Sequence, residues 1–155
     1  MKNLSTELLS LVGEYAVASE LCRRGVYSQL TLGNHKRTDI LVEKDHALVR
    51  VQVKTKQDKE WPGLSVHSSD ILVLVDVEGK AQDQRPDFYI LNFDDWKTVV
   101  TEAQGRLPKI RVDEQYRVTY PSPDSWRGLN LKVEHVAAFK DCWEKILTLD
   151  EVHST

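Results

Sequence analysis

The chain has 155 residues, with 21 Lys or Arg, 24 Asp or Glu and a formal net charge of -3, one domain's worth on the usual range of about 100 to 200 residues. Apolar residues make up 41% and charged residues 29%, which excludes a disordered or collagen-like chain and any basic coat for sequence-blind nucleic-acid binding. No apolar run reaches the roughly 20 residues of a membrane span, the N-terminus lacks a signal-peptide pattern, and two cysteines cannot make a disulfide framework. The expectation is a single domain over residues 1–155, cytoplasmic, without a membrane partner, and with Cys22 and Cys142 as reduced core residues. Residues 1–60 carry ten basic and eight acidic side chains, a net +2, against eleven and sixteen, a net -5, in residues 61–155. Any polyanion site belongs in the first half.

From Ser5, a candidate N-cap, to Arg24, the residues Leu8, Leu11, Val12, Tyr15, Ala18 and Cys22 recur at spacings of three and four. That pattern predicts an amphipathic helix ended by Gly25. The helical wheel centres the apolar stripe near Leu11, Tyr15 and Cys22, puts Glu14 at its border, and leaves Glu20 as a solvated surface residue. Two short strands follow, over residues 26–32 and 38–42, separated by a Gly33-Asn34 turn and the basic loop His35-Lys36-Arg37. After a turn at residues 43–46, residues 47–54 alternate: Val49, Val51 and Val53 share one face, and Arg50, Gln52 and Lys54 the other.

The polar stretch 55–70 reads as a long loop or an edge excursion, with Trp61 either exposed for stacking or packed on the sheet. Residues 71–77 and 87–91 are apolar runs of strand length, the first suited to a strand covered on both faces. Asn92 caps a predicted helix over 93–103, residues 106–130 allow one hairpin around 110–120, and residues 133–147 predict a closing helix. Trp96, Trp126 and Trp143 read as core or interface anchors. The order of elements gives an α/β sandwich around a mixed sheet.

Asp39 opens a strand directly after the basic loop, and Gln52 and Lys54 lie thirteen and fifteen residues later on its expected hairpin partner. A turn near residue 45 places Asp39 almost opposite Val51, beside Gln52 and within a side chain's reach of Lys54. A carboxylate, an amide and an ammonium so clustered cost several kcal/mol to bury unless they pair or hold a cation. With Glu14 they form a set of parts for phosphodiester hydrolysis: hard oxygens for Mg²⁺ and a lysine for the attacking water or the transition-state charge. No histidine spacing suits zinc, and no G-x-S-x-G, P-loop or G-x-G-x-x-G occurs.

Gly13-Glu14, Thr38-Asp39-Ile40-Leu41-Val42 and Val51-Gln52-Val53-Lys54-Thr55 together resemble the PD-(D/E)XK nuclease superfamily in its Gln-x-Lys variant. The small group I intron-associated endonucleases are similar, and Holliday-junction resolvases more distantly so. The resemblance covers about residues 8–92. It implies a restriction-endonuclease-like mixed β-sheet flanked by helices. It also implies a Mg²⁺-dependent DNA endonuclease, Mn²⁺ substituting, with Glu14, Asp39 and Gln52 at the metal and Lys54 as the catalytic lysine. Two departures stand out: Thr38 occupies the proline position of the name-giving pattern, and the neutral Gln52 replaces an acid. Cutting a duplex takes two cleavages, so a homodimer or higher homo-oligomer is expected.

Lys36, Arg37, Lys56 and Arg24 flank the elements that build this set and are the candidate nucleic-acid contacts, those of the loop before Asp39 first. The rival reading is a catalytically inactive nuclease-fold module that binds DNA or protein, favoured by Gln52 and the acidic net charge. An RNA-directed nuclease ranks last, since no aromatic platform for unstacked bases is visible.

Overall fold

The computed structural model describes residues 3–31, 38–121 and 128–148. The chain opens with helix α1 (Thr6–Arg23), whose N-cap Ser5 accepts from the Leu8 N–H and which Gly25 terminates at φ +79. Strands β1 (Tyr27–Leu30), β2 (Ile40–Lys44), β3 (Ala47–Lys56), β5 (Ile71–Asp76) and β6 (Asp87–Leu91) form one sheet in the order β1-β2-β3-β5-β6. β3 and β5 run parallel and the other pairs antiparallel, so the fold is mixed α/β with a five-stranded mixed sheet flanked by helices. A short strand β4 (Trp61–Leu64) pairs with β9 (Leu129–Leu131), and β7 (Arg111–Val112) with β8 (Val118–Thr119).

Two apolar layers hold the sheet. Val17 and Leu21 of α1 pack with Val51, Val53, Val73, Val75 and Ile90 on one face. On the other, helix α2 (Phe93–Arg106) brings Trp96, Val99 and Val100 against Leu72, Leu74 and Leu91, joined by Trp61 and Leu131. β5 is buried along its whole length, as a strand covered on both faces should be. Each fully buried Leu, Ile or Val there contributes roughly 1.5–3 kcal/mol relative to exposure. Asn92 caps α2 in a reciprocal box with Asp95, and the hairpin expected near 110–120 is the β7–β8 pair.

Several expectations are corrected. α1 packs with the side opposite the one the wheel selected: Gly13, Val17 and Leu21 face the sheet, whereas Leu8, Leu11, Val12 and Tyr15 are exposed. Side-chain shape decides this, because a glycine permits close approach that the bulkier stripe does not. Cys22 is exposed and so is not a core residue, whereas Cys142 is half-buried and packs against the α1-side core. Glu20 is not solvated; it is 6% exposed and holds Arg24 and Arg85, the latter through two 3.0 Å hydrogen bonds.

The turn between β2 and β3 is tighter than expected, with only Asp45 and His46 in the left-handed region and Lys44 paired to Ala47, the geometry that matches strand twist in a two-residue hairpin. The stretch 55–70 contains β4, and Trp61 is buried, its indole N–H donating to the Val75 carbonyl at 3.0 Å.

Residues 133–147 are not one helix. A turn of helix α3 (Val133–Val136) passes into a 3-10 turn, and helix α4 (Glu144–Leu147) follows after Asp141 at φ 52. The open edge of β6 causes the break: Lys140 bridges Tyr89 and the Asp141 N–H donates to Phe88, satisfying edge groups that a continuous helix would leave bare. Trp96 and Trp143 are core residues; Trp126 lies outside the described residues.

Candidate active site

β2 pairs with β3 only as far as Val51, so from Gln52 onward that edge of β3 is released from its neighbour. Asp39 sits at this splay. Its N–H donates to the Val51 carbonyl at 3.0 Å, and its Oδ2 accepts from the Val53 N–H at 2.7 Å. The register pairs Ile40, not Asp39, with Val51, one residue from the expected alignment. The carboxylate is therefore fixed against the backbone between Gln52 and Lys54.

α1 brings Glu14 to the same place. Gly13 lies so close to β3 that an added Cβ would fall 1.8 Å from the Thr55 hydroxyl and 3.3 Å from a Val53 methyl. The helix axis is thereby drawn down onto the strand, and Glu14, half-buried, follows it. Burial pushes the Glu14 carboxyl above its usual range, the Asp39 charge raises it further, and Lys54 pulls in the other direction without cancelling them. Burial likewise raises Asp39, against the Val53 N–H and the Lys54 ammonium, which both lower it. Glu14, Asp39 and Lys54 are thus near enough for their charges to act on one another.

The fourth, Gln52, is half-buried. Its Oε1 is buried without a hydrogen-bond partner among the described residues, as is the Thr55 hydroxyl. A buried amide oxygen without a donor costs roughly 1–3 kcal/mol. Two carboxylates that burial disfavours as anions, with a half-buried glutamine on the adjoining strand whose amide oxygen has no donor among the described residues, fit a hard cation taking oxygen ligands. No group of three or more His, Cys, Asp or Glu side chains suited to a metal occurs among the described residues; the third oxygen here is an amide.

The expected nucleic-acid contacts fare less well. Lys56 is 2% exposed, its Nζ donating to Asp76 at 2.8 Å, Glu78 at 2.9 Å and the Asp58 carbonyl at 3.0 Å. It lies over the Trp61 ring. A lysine so enclosed reaches no phosphate. Arg24 is drawn to the Glu20 carboxylate and carbonyl and stacks over Trp143 at 4.5 Å, so it braces the end of α1. Lys36 and Arg37, with His35, lie outside the described residues. The Gly13–Thr55 contact escaped the sequence reading, although a glycine inside a helical pattern is the signal for such an approach.

No protein-family model and no curated protein sequence matches the chain. Solved structures do match. The fold is similar to that of a bacterial homing endonuclease. That protein, I-Ssp6803I, superposes with a TM-score of 0.52 at 16% sequence identity, over 93% of each chain. At this identity the likeness to I-Ssp6803I concerns the fold, which is nuclease-like.

Proposed function

We propose that this protein is a Mg²⁺-dependent DNA endonuclease, Mn²⁺ substituting, of the PD-(D/E)XK type in its Gln-x-Lys variant. One observation carries the reading: Glu14, Asp39 and Lys54 act on one another's charge at the splay of β2 and β3, and Gln52, two residues before Lys54 on β3, has an amide oxygen without a partner among the described residues. The endonuclease fold neighbour supports DNA as substrate. A homo-oligomer rests on the two cuts a duplex needs.

Glu14 and Asp39 supply the anionic oxygens and Gln52 a neutral one. A divalent cation held there would lower the pKa of a bound water and offset charge on the scissile phosphate. Asp39 is oriented by the Val53 N–H, which leaves its second oxygen for the cation. Lys54, exposed on the same face of β3 as Gln52, holds the attacking water by its ammonium and stabilises the charge that grows on the phosphorane. Preorganised charge of this kind accounts for a few kcal/mol of transition-state stabilisation.

A binding-only module is the second reading, favoured by a site with two carboxylates where three would hold metal more tightly. Incubation of the purified chain with supercoiled plasmid and with branched DNA in Mg²⁺ or Mn²⁺ separates the two. Nicking that disappears in Lys54→Ala supports the nuclease. Intact DNA throughout, with Lys54→Ala indistinguishable from wild type, rejects it.

A further inference from the structure

Strand alternation places Leu48, Arg50, Gln52 and Lys54 on one face of β3, and Leu48, Arg50 and Lys54 are exposed there. Arg50 is held at unusually many points. Its N–H donates to Asp70 Oδ2 at 2.9 Å, its Nε to Oδ2 at 3.3 Å and its Nη2 to Oδ1 at 3.2 Å. The Asp70 N–H donates back to the Arg50 carbonyl at 3.1 Å. An exposed side-chain ion pair adds little to stability, so the two side-chain bonds of this set, from Nε and Nη2, do little for the fold. They do fix a guanidinium in space.

Asp70 occupies the Nε–Nη2 edge of that guanidinium and leaves the Nη1–Nη2 edge for a second forked acceptor. The side chain is 56% exposed. Two residues of strand advance about 7 Å, so Arg50 stands about 7 Å along β3 from Gln52 on the same face. A nucleic-acid strand laid over Gln52 and Lys54 passes it. Arg24 and Lys56, the described cations expected to contact phosphate, are engaged elsewhere.

We propose that Arg50, oriented by Asp70, binds a backbone phosphate of the nucleic acid next to the one over Gln52 and Lys54. The proposal rests on the nuclease reading above. Its test is fluorescence anisotropy with two labelled duplexes of unrelated sequence, Ca²⁺ replacing Mg²⁺ to prevent cutting, over a series of salt concentrations. Arg50→Ala should weaken binding to both duplexes about 3- to 10-fold, the scale of one ordinary net hydrogen bond at an exposed site. It should also flatten the dependence of log K on log salt by about one. Arg50→Lys should keep the slope, because a phosphate accepts a point charge. Wild-type affinity and slope in Arg50→Ala would overturn the contact, as would a loss confined to one sequence, which marks a base edge. If wild type nicks and binds DNA while Arg50→Ala matches it, only this contact falls; if wild type does neither, the nuclease reading falls with it.

Discussion

The absent Cβ of Gly13 and the hydroxyl of Thr55 claim the same space, 1.8 Å apart. Because the hydroxyl has no hydrogen-bond partner among the described residues, it is a spacer rather than a tether. Gly13→Ala should push α1 off β3, lowering stability by about 1–3 kcal/mol and reducing nicking, since Glu14 moves with the helix. Thr55→Ala alone should be nearly neutral, and the double variant should lose less than the sum of the two. Urea midpoints of the four proteins measure this coupling; strict additivity would mean that the contact does not set the helix position.

Asp39 is fixed by the Val53 N–H but raised as an acid by burial, so its ionised form works against the fold when no cation is present. A carboxyl raised on folding contributes stability below its unfolded pKa and loses it as pH rises through the folded value. Asp39→Asn keeps an acceptor for Val53 and removes the charge. Metal-free thermal melts at pH 7 should therefore show Asp39→Asn more stable than wild type by about 1 kcal/mol, while nicking is abolished. A lowered Tm with retained nicking would contradict both roles.

Glu20 titrates in the opposite sense. Hydrogen bonds from Arg85 hold it at about 2 from an ordinary 4.5, over the opposing effect of burial and with help from Arg24. A depressed carboxyl stabilises the fold fully above about pH 4.5 and loses that contribution as pH falls towards 2. Wild type should shed about 2 kcal/mol over this window. Glu20→Gln should start less stable at pH 7 and decline more shallowly, as denaturant titrations at stepped pH will show. Parallel declines would place the acid sensitivity elsewhere.

Lys56 gives a control for charge near the site. Its ammonium lies between Asp76 and Glu78, and Lys56→Ala leaves the buried Asp76 carboxylate without its cation. The cost should be about 3–5 kcal/mol. Chemical denaturation measures that loss. Lys56→Gln, which removes the charge, should leave the salt dependence of DNA binding by the folded protein unchanged, because this residue touches no phosphate.

The strands of the five-stranded sheet were legible because their apolar patterns are local, whereas β4 and β9, each short and paired with a distant segment, were not. Val49, Val51 and Val53 mark the buried face of β3 directly, and the all-apolar run of β5 marks a strand covered twice. Asp39 beside Gln52 followed from the same logic, to within one residue of register. The orientation of α1 was not legible, because the helix is apolar on two sides and the choice between them depends on how closely Gly13 approaches Thr55, a distant residue in the chain. Glu20 was hidden for a related reason: its partners Arg24 and Arg85 come from two segments, and only the folded chain shows that they enclose it. The closing helix failed because the free edge of β6 claims Lys140 and Asp141, a tertiary demand that outweighs helical periodicity. Lys56 was misjudged because its burial depends on Asp76 and Glu78, twenty and more residues away.

Whether Glu14, Asp39 and Gln52 gather about one ion is tested most directly by isothermal titration of Mn²⁺ into the purified chain. Wild type should take up the metal at a site that Asp39→Asn abolishes and Gln52→Ala weakens. No uptake by wild type, or the same uptake by Asp39→Asn, would contradict a metal-dependent active site at the splay of β2 and β3.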